Sequence, residues 1–481
     1  MYRHIRSRAR TWLTVLLPAI TGLCLLFELI SLRIGLLDAF FYDSTHAHVQ
    51  GIDYFSLPRA FLNLESGRSA YDTFSLASYG PAATWYLSHP ALAVWCGSLL
   101  SLLSPWTGYG AFVLLSILLM AAAAFIAARE STDPLLRRAL WMLFLCGFPT
   151  YWMLYVGNPQ AFLVLALTLI VCGVLRIARG RQGAWEIGIG LLLSFFSKPV
   201  VLLMLPLLLL LRETRRAAAI ATAIYAGISG LFELLPALNP QALPLARLAW
   251  LAVHPGWVRT HMNIYANGFQ LTPEMLDNSV HWFNLVAQSS YRLNHVDVLS
   301  LPLFLDTLFG VSTPEFVYWL PNLLVIAMSV LAARRSTGRE ERMQLALLVV
   351  CACATAYFLS YPTIWEYQYT ATYPVAAALC LLPRSFYPAL WMKKLALGLS
   401  ACFWLPSFFV FLPRNAAITP AQMEWIRADR VIPALLLFAL MIVLFARKLR
   451  EGKRRVELTG PQPRQDHSSP AANPGSTPLP S

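Results

Sequence analysis

The first long polar stretch of this apolar chain, residues 51–86, contains a carboxylate that could act as a general base. Asp53 lies just beyond the first apolar segment, and a carboxylate held at a membrane boundary can remove a proton from an attacking hydroxyl. Two plainer interpretations stay open, since Asp53 could cap a helix over residues 54–65 or be a surface carboxylate. Asp43 and Asp72 compete for the same role in this loop, and we rank both below Asp53.

Two histidines in the same loop raise the question of a metal. His46 and His48 have i, i+2 spacing and could bind a metal ion together with Asp43 or Asp53. A His-Ala-His tripeptide without further ligands is more typical of a solvated loop. The sequence leaves a divalent metal open without indicating one, so we expect no metal site and no cofactor.

The composition indicates an all-α polytopic membrane protein. Of 481 residues, 57% are hydrophobic and 13% charged, and the mean hydropathy is +0.57. Several apolar runs reach the roughly 20 residues that a helix needs to cross a bilayer. The net charge of +13 comes from short basic clusters between these runs, which is how orientation is encoded in membrane helices. Membrane lipids are therefore expected partners, and nucleic acid is not.

The eight cysteines all lie inside apolar runs, without CxxC or Cys/His zinc spacing, and are interpreted as small core residues. The arginine-rich N-terminus precedes an apolar run without a small-residue cleavage site, which predicts an uncleaved signal-anchor helix.

Hydropathy predicts a bundle of about 12 transmembrane helices in one domain, residues 1–456, followed by a disordered cytoplasmic tail at 457–481. The predicted helices lie near 12–32, 108–128, 139–156, 159–178, 184–197, 199–211, 215–235, 316–333, 344–361, 369–383, 388–412 and 431–447.

The positions of the basic residues predict the orientation. With the N-terminus inside, most of the 37 lysines and arginines fall in short inner loops. Both termini are then cytoplasmic, and two large loops, 33–107 and 236–315, lie outside with short interfacial helices. We expect an integral protein of a bacterial inner (plasma) membrane, with its site on the outer face.

Two segments depart from regular spans. Counting 89–103 as a span would invert everything downstream, so we interpret it as an interfacial or re-entrant helix. The runs 184–197 and 199–211 are too short for two full spans, which favours a hairpin broken at Lys198–Pro199.

Under this topology, polar residues from five separate regions converge on the outer face. A lysine at hydrocarbon depth usually faces a cavity and has a partner. We expect one site built from Asp53, the turn Gly157–Gln160, Lys198, the stretch Asp277–His281 and the stretch Tyr361–Tyr369.

The order of these motifs resembles glycosyltransferase family 87, the polyprenyl-phosphate-mannose-dependent mannosyltransferases of the GT-C fold. The resemblance covers roughly residues 10–450. It rests on Asp53 after the first helix, Gly67 and Tyr71, the turn Tyr86–Pro90, the GNPQ turn, the basic loop RIARGRQG followed by Ser197–Pro199, Asp277–Ser279 and YPTIWEY.

The resemblance implies an inverting transfer of a sugar, with a mannose-like hexose favoured, from a polyprenyl-phosphate donor to a lipid-linked or envelope glycan. Asp53 would be the general base. Lys198, Arg259 and Arg292 would bind the donor phosphate. The substrate contacts it implies are Tyr71, His89, Asn158, Gln160, Asn278, Ser279, Glu366 and Tyr367.

Other classes of function fit the same composition. A multi-pass transporter or flippase of lipid-linked glycans would also have about twelve helices, broken segments and buried charges. Two features argue against it: no repeat relates the two halves, and the polar residues gather at one face rather than the midplane. A non-enzymatic membrane assembly factor is the third hypothesis.

Overall fold

The computed structural model describes residues 2–35, 50–66, 70, 79–81, 86, 88–234, 299–310, 316–334, 338–361, 364–412 and 419–459. These residues are 83% helical and contain no strands, so the all-α fold class is confirmed.

The helices are numbered here in chain order. The first half of the chain contains α1 (Tyr2–Ile34), α2 (Ser56–Glu65), α3 (Pro90–Ser101), α4 (Pro105–Arg129), α5 (Pro134–Leu145), α6 (Phe148–Val156), α7 (Gln160–Ala178), α8 (Ala184–Ser197), α9 (Val200–Leu210) and α10 (Arg215–Leu234). The second half contains α11 (Leu301–Phe309), α12 (Phe316–Arg334), α13 (Arg339–Ser360), α14 (Thr372–Leu381), α15 (Leu390–Cys402) and α16 (Pro420–Thr459).

Six segments of the described chain are long and apolar enough to cross a membrane, which supports a polytopic membrane protein. They are Arg10–Ile34, Pro105–Arg129, Pro134–Val156, Gln160–Ala178, Arg339–Ser360 and Ala421–Glu451. Several other predicted spans are shorter apolar helices: Ala184–Ser197, Val200–Leu210 and Trp319–Arg334. The count of twelve spans therefore stays a prediction.

Four predicted helix boundaries were wrong. The run 139–156 is divided at Cys146–Gly147, and a new helix begins at Phe148 with Pro149 in its first turn. The run 369–383 begins as the 3-10 helix Glu366–Ala371 and ends at Leu381, before Pro383. The run 388–412 is helical only to Cys402, followed by a short 3-10 turn. The last helix is much longer than 431–447 and continues to Thr459, three residues into the predicted tail.

The two irregular segments have the lengths that the sequence predicts. Helix α3 has 12 residues and extends about 18 Å, too little for a span. The run after α8 is broken at Lys198–Pro199, where a 3-10 turn replaces regular helix. Proline cannot donate the helical hydrogen bond and restricts the residue before it, which explains a break at this point.

Helices α7 and α13 form the centre of the bundle, and α1 lies at its edge. The apolar windows of α7 and α13 are 83% and 94% buried, against 6% for α1. Small residues let α8 approach α7 closely, since a Cβ at Gly190 would lie 2.6 Å from the Ala166 carbonyl oxygen. Helix α7 is therefore held rigidly, and its first residues have a well-defined position.

A buried ion cluster marks the other end of α7. Glu130, at the end of α4, is contacted by Arg176, Arg179 and Arg181, and Arg176 also pairs with Glu186. The 19 residues of α7 extend about 28 Å. This ion cluster around Glu130 lies at the C-terminal end of α7, and the GNPQ turn lies at its N-terminal end.

Candidate functional site

A turn over residues 50–55 is docked on the C-terminal end of α6. The Gly51 amide donates to the Tyr155 carbonyl at 2.8 Å, and the Asp53 amide donates to the Val156 carbonyl at 2.9 Å. The last carbonyls of a helix have no partner within the helix, so these bonds satisfy groups that would otherwise be unpaired. The backbone of Asp53 is thereby fixed to the helix that precedes the GNPQ turn.

Gly157 makes this docking sterically possible. It ends α6 in the left-handed conformation, with φ of 69°. A Cβ at this position would lie 2.5 Å from Tyr54 Cβ. Glycine is therefore required both for the backbone conformation and for the close approach of the 50–55 turn.

Asp53 interacts with the GNPQ turn through its side chain. Asn158 Nδ2 donates to Asp53 Oδ2 at 2.7 Å. The residue that caps α2 is Phe55, without a side-chain hydrogen bond. The carboxylate of Asp53 is thus not the cap of α2, which removes the first of the two plainer interpretations.

Lys198 supplies a cation next to this carboxylate. It is the residue at which α8 ends, and its Nζ lies 5.3 Å from the centroid of the Tyr367 ring. Its charge also interacts with that of Asp53. The carbonyl of Lys198 accepts from Ser194 Oγ at 2.6 Å and from the Val200 amide at 2.8 Å, which fixes the backbone at the break.

Tyr367 completes the cluster, because its ring lies under the Lys198 ammonium and its hydroxyl interacts with the Asp53 carboxylate. Asp53, Asn158, Lys198 and Tyr367 come from four separate segments of the chain, and we call them the Asp53 cluster. The structure brings these four together as the sequence predicts.

The electrostatics of the Asp53 cluster are those of two opposite charges on side chains that are largely buried but keep some contact with solvent. Burial raises the pKa of Asp53, and the hydrogen bond from Asn158, the charge of Lys198 and the bond from Tyr367 oppose this rise. Burial lowers the pKa of Lys198 to about 8, opposed by the charge of Asp53. The site therefore contains a carboxylate made more basic and an ammonium made more acidic than usual.

Two side-chain oxygens on the GNPQ turn have no hydrogen-bond partner among the described residues. The Asn158 amide nitrogen is engaged with Asp53, and Gln160 Nε2 donates to the Gln368 carbonyl at 3.1 Å. Both nitrogens face acceptors, so the amide orientations are determined and the oxygens Asn158 Oδ1 and Gln160 Oε1 remain buried and free. Either oxygen can accept a hydrogen bond from a hydroxyl that reaches it.

Glu366 is not arranged for the substrate contact that the sequence predicts. It is fully buried, and its carboxylate forms a bidentate pair with Arg430 of α16. Burial raises the pKa of Glu366 and the guanidinium opposes that rise. With both oxygens engaged, Glu366 is a structural partner here and offers nothing to a ligand.

His89 is likewise placed away from a ligand. It is 3% exposed and caps α3, since its Nδ1 accepts from the Ala91 amide at 3.1 Å. Its Nε2 lies 2.9 Å from Ser229 Oγ, and Phe196, Tyr225 and Phe232 surround the ring. Burial lowers the pKa of His89 to about 3, so the ring is neutral. The predicted substrate contact is replaced by a packing role.

Several predicted residues lie outside the described part of the chain. These are Tyr71, Arg259, Asn278, Ser279 and Arg292, together with Asp43, His46, His48 and Asp72. Within the described ranges, no group of three or more His, Cys, Asp or Glu side chains is arranged to hold a metal ion.

The partner of Glu366 is not among the residues that the sequence predicts for the site. Arg427, Asp429 and Arg430 lie in α16 immediately before its apolar run, which begins at Val431, and both arginines are almost completely buried. Charged residues next to such a run usually pair inside the protein, a signal that could have identified Arg430.

No protein-family model matches this chain, and no curated protein or solved structure shows significant similarity to it.

Proposed function

We propose that the protein is an inverting glycosyltransferase that moves a sugar, with a mannose-like hexose favoured, from a polyprenyl-phosphate donor to a lipid-linked or envelope glycan. One observation carries the proposal: Asp53, Asn158, Lys198 and Tyr367 meet although they come from four distant segments. This arrangement supplies a base and a cation within one site, which are the two groups that such a transfer needs.

In the proposed reaction Asp53 accepts the proton of the acceptor hydroxyl. The hydroxyl oxygen then bonds to the anomeric carbon as the bond from that carbon to the phosphate oxygen breaks, which inverts the configuration. Burial makes Asp53 a stronger base, and its two hydrogen-bond donors fix its orientation. General-base assistance of this kind contributes about 10²- to 10⁴-fold.

Lys198 is proposed to stabilise the charge that develops on the departing phosphate. A phosphate is already a good leaving group, so a cation is needed more than a general acid. The transfer therefore requires one carboxylate, where hydrolysis of a glycoside commonly uses two. Arg259 and Arg292 remain proposed further cations for the donor, and Asn158 and Gln160 proposed acceptors for substrate hydroxyls.

The proposed side of the membrane follows from the ends of α7. The Asp53 cluster lies at the beginning of α7, and the basic cluster around Glu130 lies at its other end. Basic residues are favoured on the cytoplasmic side, which supports an outer position for the site and cytoplasmic termini. Nucleotide sugars are absent outside, so a polyprenyl-phosphate donor is the consistent source of the sugar.

The decisive experiment measures consumption of polyprenyl-phosphate mannose and related donors by the purified protein in nanodiscs. We expect Asp53→Asn to lose about 10²-fold or more of the wild-type rate. Asp133→Asn is the matched control. Asp133 caps the N-terminus of α5, three residues after Glu130, and asparagine caps a helix equally well. An Asp53→Asn variant as fast as wild type would refute the assignment of the base.

The proposed side of the membrane has its own test. A cysteine introduced in place of Asp53 should react with a membrane-impermeant maleimide added to the outer side of intact cells. Labelling from the cytoplasmic side alone would overturn the topology.

A flippase of lipid-linked glycans is the second candidate, favoured by the helix break at a charged residue, Lys198. It predicts movement of the glycolipid across proteoliposomes without consumption of any sugar donor.

A further inference from the structure

Consecutive residues of the 3-10 helix Glu366–Ala371 contact different parts of the protein. The Tyr367 ring lies under Lys198, 5.3 Å from Nζ to the ring centroid, and the Tyr367 hydroxyl interacts with Asp53. Its neighbour Glu366 is buried on another side against α16. The position of Tyr367 in the Asp53 cluster therefore depends on how its neighbours are held.

Arg430 holds Glu366 and the end of α15 at once. Its Nε donates to Glu366 Oε2 at 3.1 Å, and a second guanidinium nitrogen donates to Oε1. The same guanidinium donates to the carbonyls of Cys402 and Leu405, at the end of α15. A planar guanidinium can make such bidentate and branched contacts, whereas an ammonium cannot.

The following residues have contacts of their own, and Arg430 also lies over the Tyr369 ring, with its Cζ 5.7 Å from the ring centroid. The Gln368 carbonyl accepts from Gln160, and the Gln368 side chain donates to the Tyr357 hydroxyl. The Tyr369 hydroxyl donates to the Leu299 carbonyl at 2.8 Å. These bonds anchor the 3-10 helix after Tyr367, and the Glu366–Arg430 pair anchors it before Tyr367.

We infer that Arg430, acting through Glu366, is a positioning residue that holds the Tyr367 hydroxyl against Asp53. Arg430 does not touch the cluster itself. The inference about reaction rate rests on the proposed function. The inference about the placement of Tyr367 rests on the Glu366–Arg430 pair and on the contact of the Tyr367 ring with Lys198.

Removing one partner of this pair is a poor test, since an uncompensated buried charge destabilises the whole protein. Replacing both partners by apolar residues of similar size is often neutral for stability. The test variant is therefore the double variant Glu366→Met/Arg430→Met. It keeps the volume and removes the bonds that orient the 3-10 helix.

The first readout is hydrogen–deuterium exchange of the intact protein, which needs no activity. We expect exchange of peptides covering 364–371 to rise at least about tenfold in the double variant, with α7 and α13 unchanged. The Glu451→Gln variant is the control, because it removes exposed charge pairs from the same helix.

The second readout is steady-state donor consumption. We expect kcat to fall about 10- to 100-fold with KM for the donor little changed, because misplacement of the base affects the chemical step. In the Tyr367→Phe background the same double substitution should have little further effect, since the hydroxyl it positions is already gone.

The outcomes separate the two proposals. Unchanged exchange over 364–371 in the double variant overturns the positioning role, as does a loss of kcat that is fully additive with Tyr367→Phe. A wild-type protein that consumes none of the donors refutes the proposed function alone, and the exchange measurement then still decides whether Arg430 places Tyr367.

Discussion

The side-chain amide of Asn158 donates to the carboxylate of Asp53 over 2.7 Å, although the two residues are 105 positions apart. The bond joins the turn after α1 to the turn between α6 and α7, and the backbone bonds from Gly51 and Asp53 to α6 run beside it. The orientation of the proposed base is thus determined by the end of a helix, and each of its supports can be removed separately.

Removal of the Asn158 amide should shift the acid side of the pH–rate profile. This hydrogen bond lowers the pKa of Asp53, so Asn158→Leu raises that pKa further. Asp53 is then protonated, and inactive as a base, up to a higher pH. We expect the acid limb of kcat/KM for donor consumption to move to higher pH, while the alkaline limb stays in place. An unmoved acid limb would show that Asp53 is not the titrating base.

The alkaline limb should belong to Lys198, whose pKa is lowered to about 8 by burial. The ammonium is lost as the pH rises through this value, and stabilisation of the phosphate is lost with it. We expect wild-type activity to decline above about pH 8, and Lys198→Arg to retain activity to higher pH because a guanidinium stays charged.

Lys198→Met serves as the comparison, since it should weaken donor turnover below about pH 8, where the wild-type lysine is charged, and should lack the alkaline limb. Lys393→Met, at the beginning of α15, is the matched control and should leave the profile unchanged. If Lys198→Met retained the alkaline limb, that limb would belong to another group.

Gly157→Ala should displace the 50–55 turn. The alanine would be forced into φ of 69° and would place its Cβ 2.5 Å from Tyr54 Cβ. Backbone strain of this kind costs about 1–3 kcal/mol, and the turn that carries Asp53 must move. We expect a lower unfolding temperature and a loss of activity. Gly230→Ala in α10 is the control, since a Cβ there meets nothing within 4 Å and alanine favours helix.

The sequence is a good guide to this site where a residue type is unusual for its surroundings. Asp53 after an apolar segment and Lys198 between two apolar runs both need polar partners, and the alternation of basic loops places them at the same ends of their helices. Together with the order of the motifs, these constraints are enough to group Asp53, Asn158, Lys198 and Tyr367 in one site.

The same reasoning cannot decide where each side chain points. Glu366 and Tyr367 are adjacent and both look suited to a ligand, yet one is buried against Arg430 and the other reaches Asp53. The choice depends on a residue of α16 that is 64 positions away. His89 shows the same dependence on distant residues, because Ser229 and three aromatic rings from other segments enclose it. Helix breaks inside apolar runs, such as Cys146–Gly147, are also hidden from hydropathy.

Glu130→Gln should destabilise the protein without changing its chemistry. The Glu130 side chain is 1% exposed and contacts three arginines, so neutralising it leaves partly buried cations without their partner. Breaking a fully buried pair costs about 3–5 kcal/mol, and we expect a smaller loss here because the three arginine side chains are 19%, 37% and 52% exposed. The cluster lies about 28 Å from the Asp53 cluster along α7, so KM for the donor and the pH limbs should stay as in wild type.

Arg181→Gln in the same cluster should cost far less. Its side chain is 52% exposed, and an arginine in contact with water contributes about 0–1 kcal/mol through such a pair. Thermal unfolding in detergent compares the two variants directly. Equal losses of stability in the two variants would mean that the exposed Arg181 contributes as much as the buried Glu130. Burial of Glu130 would then not be what makes this end of α7 rigid.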